Sequence, residues 1–145
     1  MRKAYFGSNK VWWNTKFNSW QGSFGQDNVP LIRISEMYLI RAEASVKLSA
    51  PNYTQSRSDI NILRAARGLS PTTANDGTLA AAVQKERRLE LCFEGHRFFD
   101  LKRLGLDITK EAPSVTLPYT DFKVVAGIPQ TEMDVNKNLV NNPGY

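Results

Sequence analysis

Residues 86–103 have the sequence ERRLELCFEGHRFFDLKR, the densest run of charged side chains in the chain. Glu86, Glu90 and Glu94 recur at every fourth position, a spacing that places their carboxylates on one face of a helix. Like charges at that spacing repel one another unless cations compensate them. We therefore predict a partly buried network of carboxylates and arginines that ties several helices together. The expected members are Arg41, Arg64, Glu86, Arg87, Glu90, Glu94, Arg97 and Asp100.

Three helices are predicted in the middle of the chain. Apolar residues at helical spacing indicate helices over residues 34–49, over residues 54–67 and from about residue 78 to Glu94. Short connections between such helices favour antiparallel hairpins packed in a layer. The helix lengths suit tetratricopeptide-like units, although the sequence contains no 34-residue repeat. The expected fold is therefore mainly α, with tetratricopeptide-like helical hairpins.

Particular residues indicate where these helices begin and end. Ser35 is the expected N-cap of the first helix, and Gly68 is placed to stop the second. Gly95 interrupts the third helix. A last amphipathic helix is predicted from His96 to Leu104, with Gly105 as its stop.

Irregular segments with short strands are expected on both sides of the helices. Residues 1–33 mix aromatic side chains with Gly, Asn and Ser, a composition typical of short strands and loops. Residues 106–145 are rich in Pro and Asn, and residues 115–118 and 122–128 could each form a short strand or an extended cover. We expect three parts: an aromatic-rich segment at 1–33, a helical core at 34–105 and a Pro/Asn-rich tail at 106–145 that packs on the core.

Length and composition suit one globular domain or one half of a larger one. The 145 residues are 41% hydrophobic, and no apolar run is long enough to span a bilayer. The first ten residues lack the apolar core of a signal peptide, so any membrane attachment is expected to come from outside this chain. The net charge of +5 is spread over alternating cations and anions, which favours a solvated surface over nucleic-acid binding. Cys92, the single cysteine, is expected to be a small buried hydrophobe.

Neither a metal site nor a catalytic site is predicted. Di-metal helical bundles use a Glu-x-x-His motif, whereas Phe93 stands three residues before His96, the only histidine. His96 and Asp100 would share a helix face, but one histidine supplies too few ligands. The sequence contains no nucleophile elbow, phosphate-binding glycine loop or Cys–His pairing. We therefore expect no cofactor and no enzymatic activity.

Three tryptophans near the N-terminus are candidate ligand contacts. Trp12, Trp13 and Trp20 have flat apolar faces that can stack on sugar rings, with Asn and Gln nearby to bind hydroxyl groups. The same rings can serve as core or as an interface to another part of a larger protein. We favour these structural roles over contact with a sugar.

Four runs of sequence, in order, resemble the C-terminal region of the SusD/RagB family. They are LIRISEMYLIRAEA at residues 31–44, DINILRAARG at residues 59–68, the charged run at residues 86–103, and an ending formed by GIPQ at residues 127–130 and NNPGY at residues 141–145. One such run is weak support, whereas four in the same order are specific. The resemblance covers nearly the whole chain from residue 31.

The resemblance implies a surface partner of a TonB-dependent, SusC-like transporter in the outer membrane of Bacteroidetes-type bacteria. Family members bind oligosaccharides, or in some cases peptides, and pass them to that channel. They are longer than this chain and are anchored by a lipidated N-terminal cysteine. The expected role is therefore that of the C-terminal scaffold of a surface-exposed outer-membrane lipoprotein, without glycan-contacting residues that can be assigned. The helical hairpins alone leave one alternative, a helical protein–protein interaction module.

Overall fold

The computed structural model describes residues 2–6, 9–13, 16, 31–111 and 114–145. The chain divides into two compact units, Met1–Phe93 and Glu94–Tyr145. The mainly helical fold predicted above is confirmed. The boundaries predicted at residues 33 and 105 stay predictions. None of the helices in the described ranges combines the length and apolar character that crossing a membrane requires.

The first unit contains a β-hairpin and three helices. Strands β1 and β2 pair antiparallel, with Lys3 opposite Trp12. The helices that follow each have 14 or 15 residues. The bounds of the five elements are β1 Arg2–Phe6, β2 Asn9–Trp13, α1 Ile34–Lys47, α2 Tyr53–Ala66 and α3 Asp76–Glu90.

Helices α1 and α2 form an antiparallel hairpin. The amide of Asn52, just before α2, donates to the carbonyl of Ser45 at 2.9 Å, which closes the short connection. Further along the pair, Arg41 of α1 forms an ion pair with Asp59 of α2. Because positions later in α1 meet positions earlier in α2, the two helices run in opposite directions, as the sequence predicts for a short connection.

The connection from α2 to α3 is longer and changes the direction of the next helix. Residues 67–75 turn back along α2, so that the carbonyl of Ser70 accepts from Arg64 at 2.7 Å and the carbonyl of Ala74 accepts from Arg57 at 3.2 Å. Helix α3 therefore starts beside the beginning of α2 and runs in the same direction. The expectation of a short hairpin connection does not hold for this pair.

The core of the first unit lies where the three helices meet. Ala42 is fully buried in it, and a small residue at this position lets neighbouring helices approach closely. Two clusters of buried apolar side chains make up this core: Ala42, Ile60, Leu79 and Val83 in one, and Leu39, Leu63 and Leu91 in the other. Hydrophobic burial of this kind is the main stabilising contribution to the helical group.

Two predicted helix ends are wrong. Arg33, not Ser35, occupies the N-cap position of α1, and Ser35 is buried inside the helix. Helix α3 ends at Glu90, four residues before the predicted end, and residues 91–95 form turns. Phe93 has a φ of 66°, a left-handed conformation that cannot continue a helix. Glu94 therefore lies outside α3, and the prediction that it shares a helix face with Glu86 and Glu90 is wrong.

The second unit contains two α-helices, a β-hairpin and a turn of 3-10 helix among its described residues. Its elements are α4 His96–Arg103, β3 Ile108–Glu111, β4 Ser114–Leu117 and α5 Gln130–Val135. β3 and β4 pair antiparallel, so a strand forms where one was suggested near residues 115–118. The other suggested strand is absent, because Phe122–Val124 form a turn of 3-10 helix. The Phe122 and Tyr145 rings pack edge to face at 5.3 Å, which fastens the end of the chain within this unit.

Candidate functional site

A cavity of about 420 Å³ opens at one end of the three-helix group in the first unit. The last turns of α2 and α3 and the residue before α1 bring its lining side chains together. Because α2 and α3 run in the same direction and α1 runs against them, two helix C-termini and one N-terminus meet here. Its size falls in the range of small-ligand pockets in proteins.

Glu90 is the carboxylate on which the cavity's ion pairs converge. Arg33 donates from Nη1 to Oε1 of Glu90 at 2.9 Å. Arg67 donates from Nη2 to the same oxygen at 2.6 Å and from Nε to Oε2 at 3.0 Å. The Arg67–Glu90 contact is thus a bidentate fork, the strongest geometry for such a pair.

These partners keep the carboxyl group of Glu90 ionised. Burial by itself acts to raise the pKa of this carboxyl, but hydrogen bonds from Arg67, Arg33 and Ser35 outweigh it. The pKa of Glu90 is thereby lowered from 4.5 to about 2. Hydrogen bonding in turn raises the pKa of Arg67. Both groups of the fork therefore remain charged at any physiological pH.

Cations also cap the C-terminus of α3. Lys16 donates from Nζ to the carbonyls of Glu90 at 2.8 Å and of Cys92 at 2.9 Å, and Arg33 donates to the Glu90 carbonyl at 3.0 Å. The last carbonyls of a helix have no partner within it and carry partial negative charge, so cations stabilise this end. These hydrogen bonds place Lys16, from the N-terminal part of the chain, at the cavity.

A second ion pair lies beside the first. Arg64 donates from Nη1 to Glu86 of α3 and from Nε to the carbonyl of Ser70. The side chains of Arg64 and Glu86 are only 23% and 12% exposed, so water screens this pair less than a surface pair. The pair joins α2, α3 and the returning connection at one point.

Apolar side chains form the remaining wall of the cavity. Leu69, Leu89 and Phe93 line it, and each of the three is about half exposed or more. Phe93 stands in the turn after α3, held in the left-handed conformation that is costly for a bulky residue. The cavity thus combines guanidinium groups, carboxylates and an aromatic ring.

The other predicted network residues lie in different places. Arg41 pairs with the fully buried Asp59, donating to its two oxygens at 2.9 and 2.6 Å, and Arg87 donates to Glu36 at 3.1 Å. Of the predicted members, the structure brings Arg64, Glu86 and Glu90 together at the cavity. In the second unit, Asp100 accepts from Arg103 at 2.9 Å, Arg97 is exposed, and Glu94 is half-buried.

The candidate aromatic contacts fall where side chains are not described. Trp12 and Trp13 belong to β2, and the described part of that strand is its backbone. Trp20 lies outside the described residues. Within the described part of the chain, His, Cys, Asp and Glu form no group of three or more that could hold a metal ion. Cys92 is half-buried in the turn after α3, not in a helix.

Sequence reasoning missed three of the cavity's cations. Lys16, Arg33 and Arg67 were not among the predicted network residues, although Arg67 ends a run that resembles a family motif. Their partner, Glu90, is between 23 and 74 positions away in the sequence. Local spacing cannot reveal such pairs, because they depend on how the connection between α2 and α3 returns.

Comparisons with known proteins identify the family. The sequence model of the SusD family matches residues 1–124. The SusD-like protein P2 of Formosa agariphila is 32% identical over 128 residues, which cover 79% of this chain and 25% of that protein. The SusD-like protein P38 of the same organism is 36% identical over 103 residues, covering 63% of this chain and 20% of that protein.

A solved structure shares the fold. The crystal structure of a SusD-like protein from Bacteroides fragilis matches 82% of this chain and 26% of its own chain, with a TM-score of 0.64 and 25% sequence identity. The chain spans about a quarter or less of the length of the curated relatives it matches. On the family match over residues 1–124 and on these relatives, the chain belongs to the SusD family.

Proposed function

We propose that the protein containing this chain captures oligosaccharides at the bacterial cell surface and passes them to a TonB-dependent, SusC-like transporter. This chain serves as its C-terminal scaffold. The observation that carries the proposal is the SusD-family match over residues 1–124. Attachment to the outer membrane is through a lipid anchor, as the family resemblance implies. The role is binding and transfer, without chemical change of the ligand.

The geometry of the first unit supports a scaffold role. Two of its buried charged groups are paired across helices, Asp59 with Arg41 and Arg87 with Glu36, so they fix how the helices pack. Buried ion pairs are strongly destabilising when one partner is removed, which makes the arrangement specific. A rigid helical group of this kind holds ligand-binding segments in place more precisely than loops do.

A second candidate function is a helical protein–protein interaction module. The observation that favours it is a run of exposed apolar residues at the start of α1, where Leu31 is 89%, Ile32 77% and Ile34 73% exposed. Contiguous exposed apolar surface of this kind is typical of interaction sites. An affinity purification that recovers a defined protein other than a transporter would support this candidate over the first.

Calorimetric titration tests the proposed function. The longest natural protein that carries this sequence is titrated with a panel of oligosaccharides and of peptides of similar length. We expect saturable binding of at least one oligosaccharide, and chromatography of the recovered ligand should show its chain length unchanged after hours of incubation. Binding of no oligosaccharide would contradict the proposal, and shortened products would contradict its non-enzymatic character.

A further inference from the structure

Helix α1 is apolar on two sides. One side lies in the core of the first unit, where Leu39 and Ala42 are fully buried. The other side, which we name the outer face of α1, is exposed. It consists of Ile34, Met37, Ile40 and Ala44, with Leu48 just after the helix. At about 3.6 residues per turn these positions form a stripe about 120° wide, as broad as the side that a helix normally turns towards a core.

The charged side chains of α1 are compensated within the first unit. All four of them form ion pairs: Glu36 with Arg87, Arg41 with Asp59, and Glu43 with Lys47. Apolar character on more than one side is typical of a helix buried in a large protein or in a membrane. With 14 residues, α1 is shorter than the roughly 20 that a membrane span requires. Its pattern therefore indicates burial inside a larger protein.

The outer face also contains hydrogen-bond donors that a covering surface would have to satisfy. Arg41 uses Nε and Nη2 for its contacts with Asp59, and its Nη1 makes no hydrogen bond to a described residue. The side chain of Arg41 is 56% exposed, and its guanidinium group lies over the ring of Tyr38 at 5.4 Å. A complementary surface therefore needs apolar side chains and a carbonyl or carboxylate oxygen opposite Arg41.

The composition of the outer face is that of a permanent interface. Interfaces between proteins that associate and separate are about as apolar as the rest of the surface, whereas permanent ones resemble a domain core. Leu31 and Ile32, just before α1, extend the exposed apolar surface. A second copy of the chain fits this face poorly. Around a two-fold axis at the centre of the face, Arg41 would meet Arg41, which places donors against donors without an acceptor.

The lengths of the relatives indicate what the permanent partner is. The matched stretch is about a quarter of the SusD-like protein P2 and of the Bacteroides fragilis chain. About three quarters of each of these polypeptides therefore lies outside the match. In a protein of that length, the covering surface can belong to the same polypeptide and is then always present.

We infer that the outer face of α1 is covered, in a longer SusD-like protein that carries this sequence, by an apolar segment from outside these 145 residues. The segment packs against Ile34, Met37 and Ile40 and presents an oxygen acceptor to Arg41. The exposed apolar side chains that favour an interaction module then belong to an interface within one polypeptide.

Photo-cross-linking in the longest natural protein that carries this sequence tests the inference. Benzoylphenylalanine replaces Ile34, the purified protein is irradiated, and mass spectrometry identifies the peptides that are joined. We expect the cross-linker to join a peptide from outside residues 1–145. The control position is Lys85, an exposed polar residue of α3, and the cross-linker placed there should not join that peptide.

Oxidation of Met37 in the unmodified protein covers the case in which the cross-linker variant does not fold. Hydrogen peroxide converts exposed methionine to its sulfoxide. Met37 should react about tenfold or more slowly in the folded longer protein than in the same protein unfolded in urea, because the covering segment encloses it. This protection should be the same at every protein concentration.

Other results would overturn the inference. They are a cross-link from position 34 only to residues 1–145, a cross-link between two copies, and protection of Met37 that is lost on dilution. Oxidation of Met37 that is less than about tenfold slower than in urea would also overturn it. A natural protein without residues beyond these 145 would do the same. None of these results bears on oligosaccharide binding, so the proposed function is tested separately.

Discussion

At the scale of single residues, Glu90 connects more of the first unit than any other charged side chain described above. Its carboxylate accepts from Arg33 before α1 and from Arg67 after α2, and its own carbonyl accepts from Lys16. Three separate parts of the chain therefore meet at one residue. Because these partners lower the pKa of Glu90 to about 2, its contribution to stability depends on pH.

Replacing Glu90 should remove that pH dependence. A carboxyl whose pKa is lower in the folded chain stabilises it fully above the unfolded value, near 4.5, and loses the effect as pH falls toward about 2. The difference between the two pKa values corresponds to about 3 kcal/mol, and solvent around the half-exposed Arg67 reduces the expected loss to about 1–2 kcal/mol. Urea unfolding from pH 7 to pH 2.5 measures it for the wild type and for Glu90→Gln.

The pH series needs a matched carboxylate as control. Glu132 of α5 is exposed, so Glu132→Gln should follow the wild type at every pH within error. If wild type and Glu90→Gln lost stability in parallel between pH 5 and pH 2.5, the ion pairs at Glu90 would not stabilise the folded chain.

Two leucines on α3 separate core packing from surface exposure. Leu79 is fully buried against α1 and α2, whereas Leu89 is 59% exposed at the cavity. Leu79→Ala should lower the free energy of unfolding by about 2–5 kcal/mol, because it leaves a cavity in the core. Leu89→Ala should change it by about 0.5 kcal/mol or less. Equal losses in thermal or urea unfolding would place the core elsewhere.

At the scale of elements, the sequence predicts helices better than it predicts their ends and partners. The predicted spans 34–49 and 54–67 agree with α1 and α2 to within two residues, because the spacing of their apolar residues is local information. The end of α3 could not be read in this way. The spacing from Glu86 to Glu94 is helical, but the helix ends at Glu90 and the backbone is left-handed at Phe93.

The pairing of charges shows the same limit. Arg64 and Glu86 were both predicted network residues, and the structure places them in contact. Arg41, also a predicted member, instead forms an ion pair with Asp59. Glu90 forms ion pairs with Arg33 and Arg67. The sequence identifies which side chains carry charge. The return of residues 67–75 along α2 decides which of them meet.

The start of α3 offers a test at this scale. Asn75 precedes the helix, and its side-chain oxygen accepts from the amide of Thr78 at 3.0 Å. This bond satisfies one of the amides left without a partner in the first turn. Asn75→Ala should therefore cost about 1 kcal/mol in unfolding free energy, measured by urea denaturation. Asn138→Ala in the tail is the control, and a loss as large as that of Asn75→Ala would argue against a capping effect.

At the scale of the whole molecule, the chain matches only a small part of the length of the SusD-like proteins it resembles. It covers about a quarter of the curated relative with the longest match, and a similar share of the Bacteroides fragilis structure. Its helical group, with paired buried charges, is suited to hold other segments in place. Its cavity is lined by the C-terminal turns of two helices and by Phe93. Both features are compatible with the proposed function.

Uptake of labelled oligosaccharides by living cells tests the central claim most directly. The gene that encodes the protein is deleted in its natural host, and uptake is compared among wild type, deletion strain and a strain with the gene restored. We predict that uptake of at least one oligosaccharide falls on deletion and returns on restoration, while uptake of monosaccharides stays unchanged. Unchanged uptake of every oligosaccharide that the purified protein binds would contradict a role in delivery to a transporter.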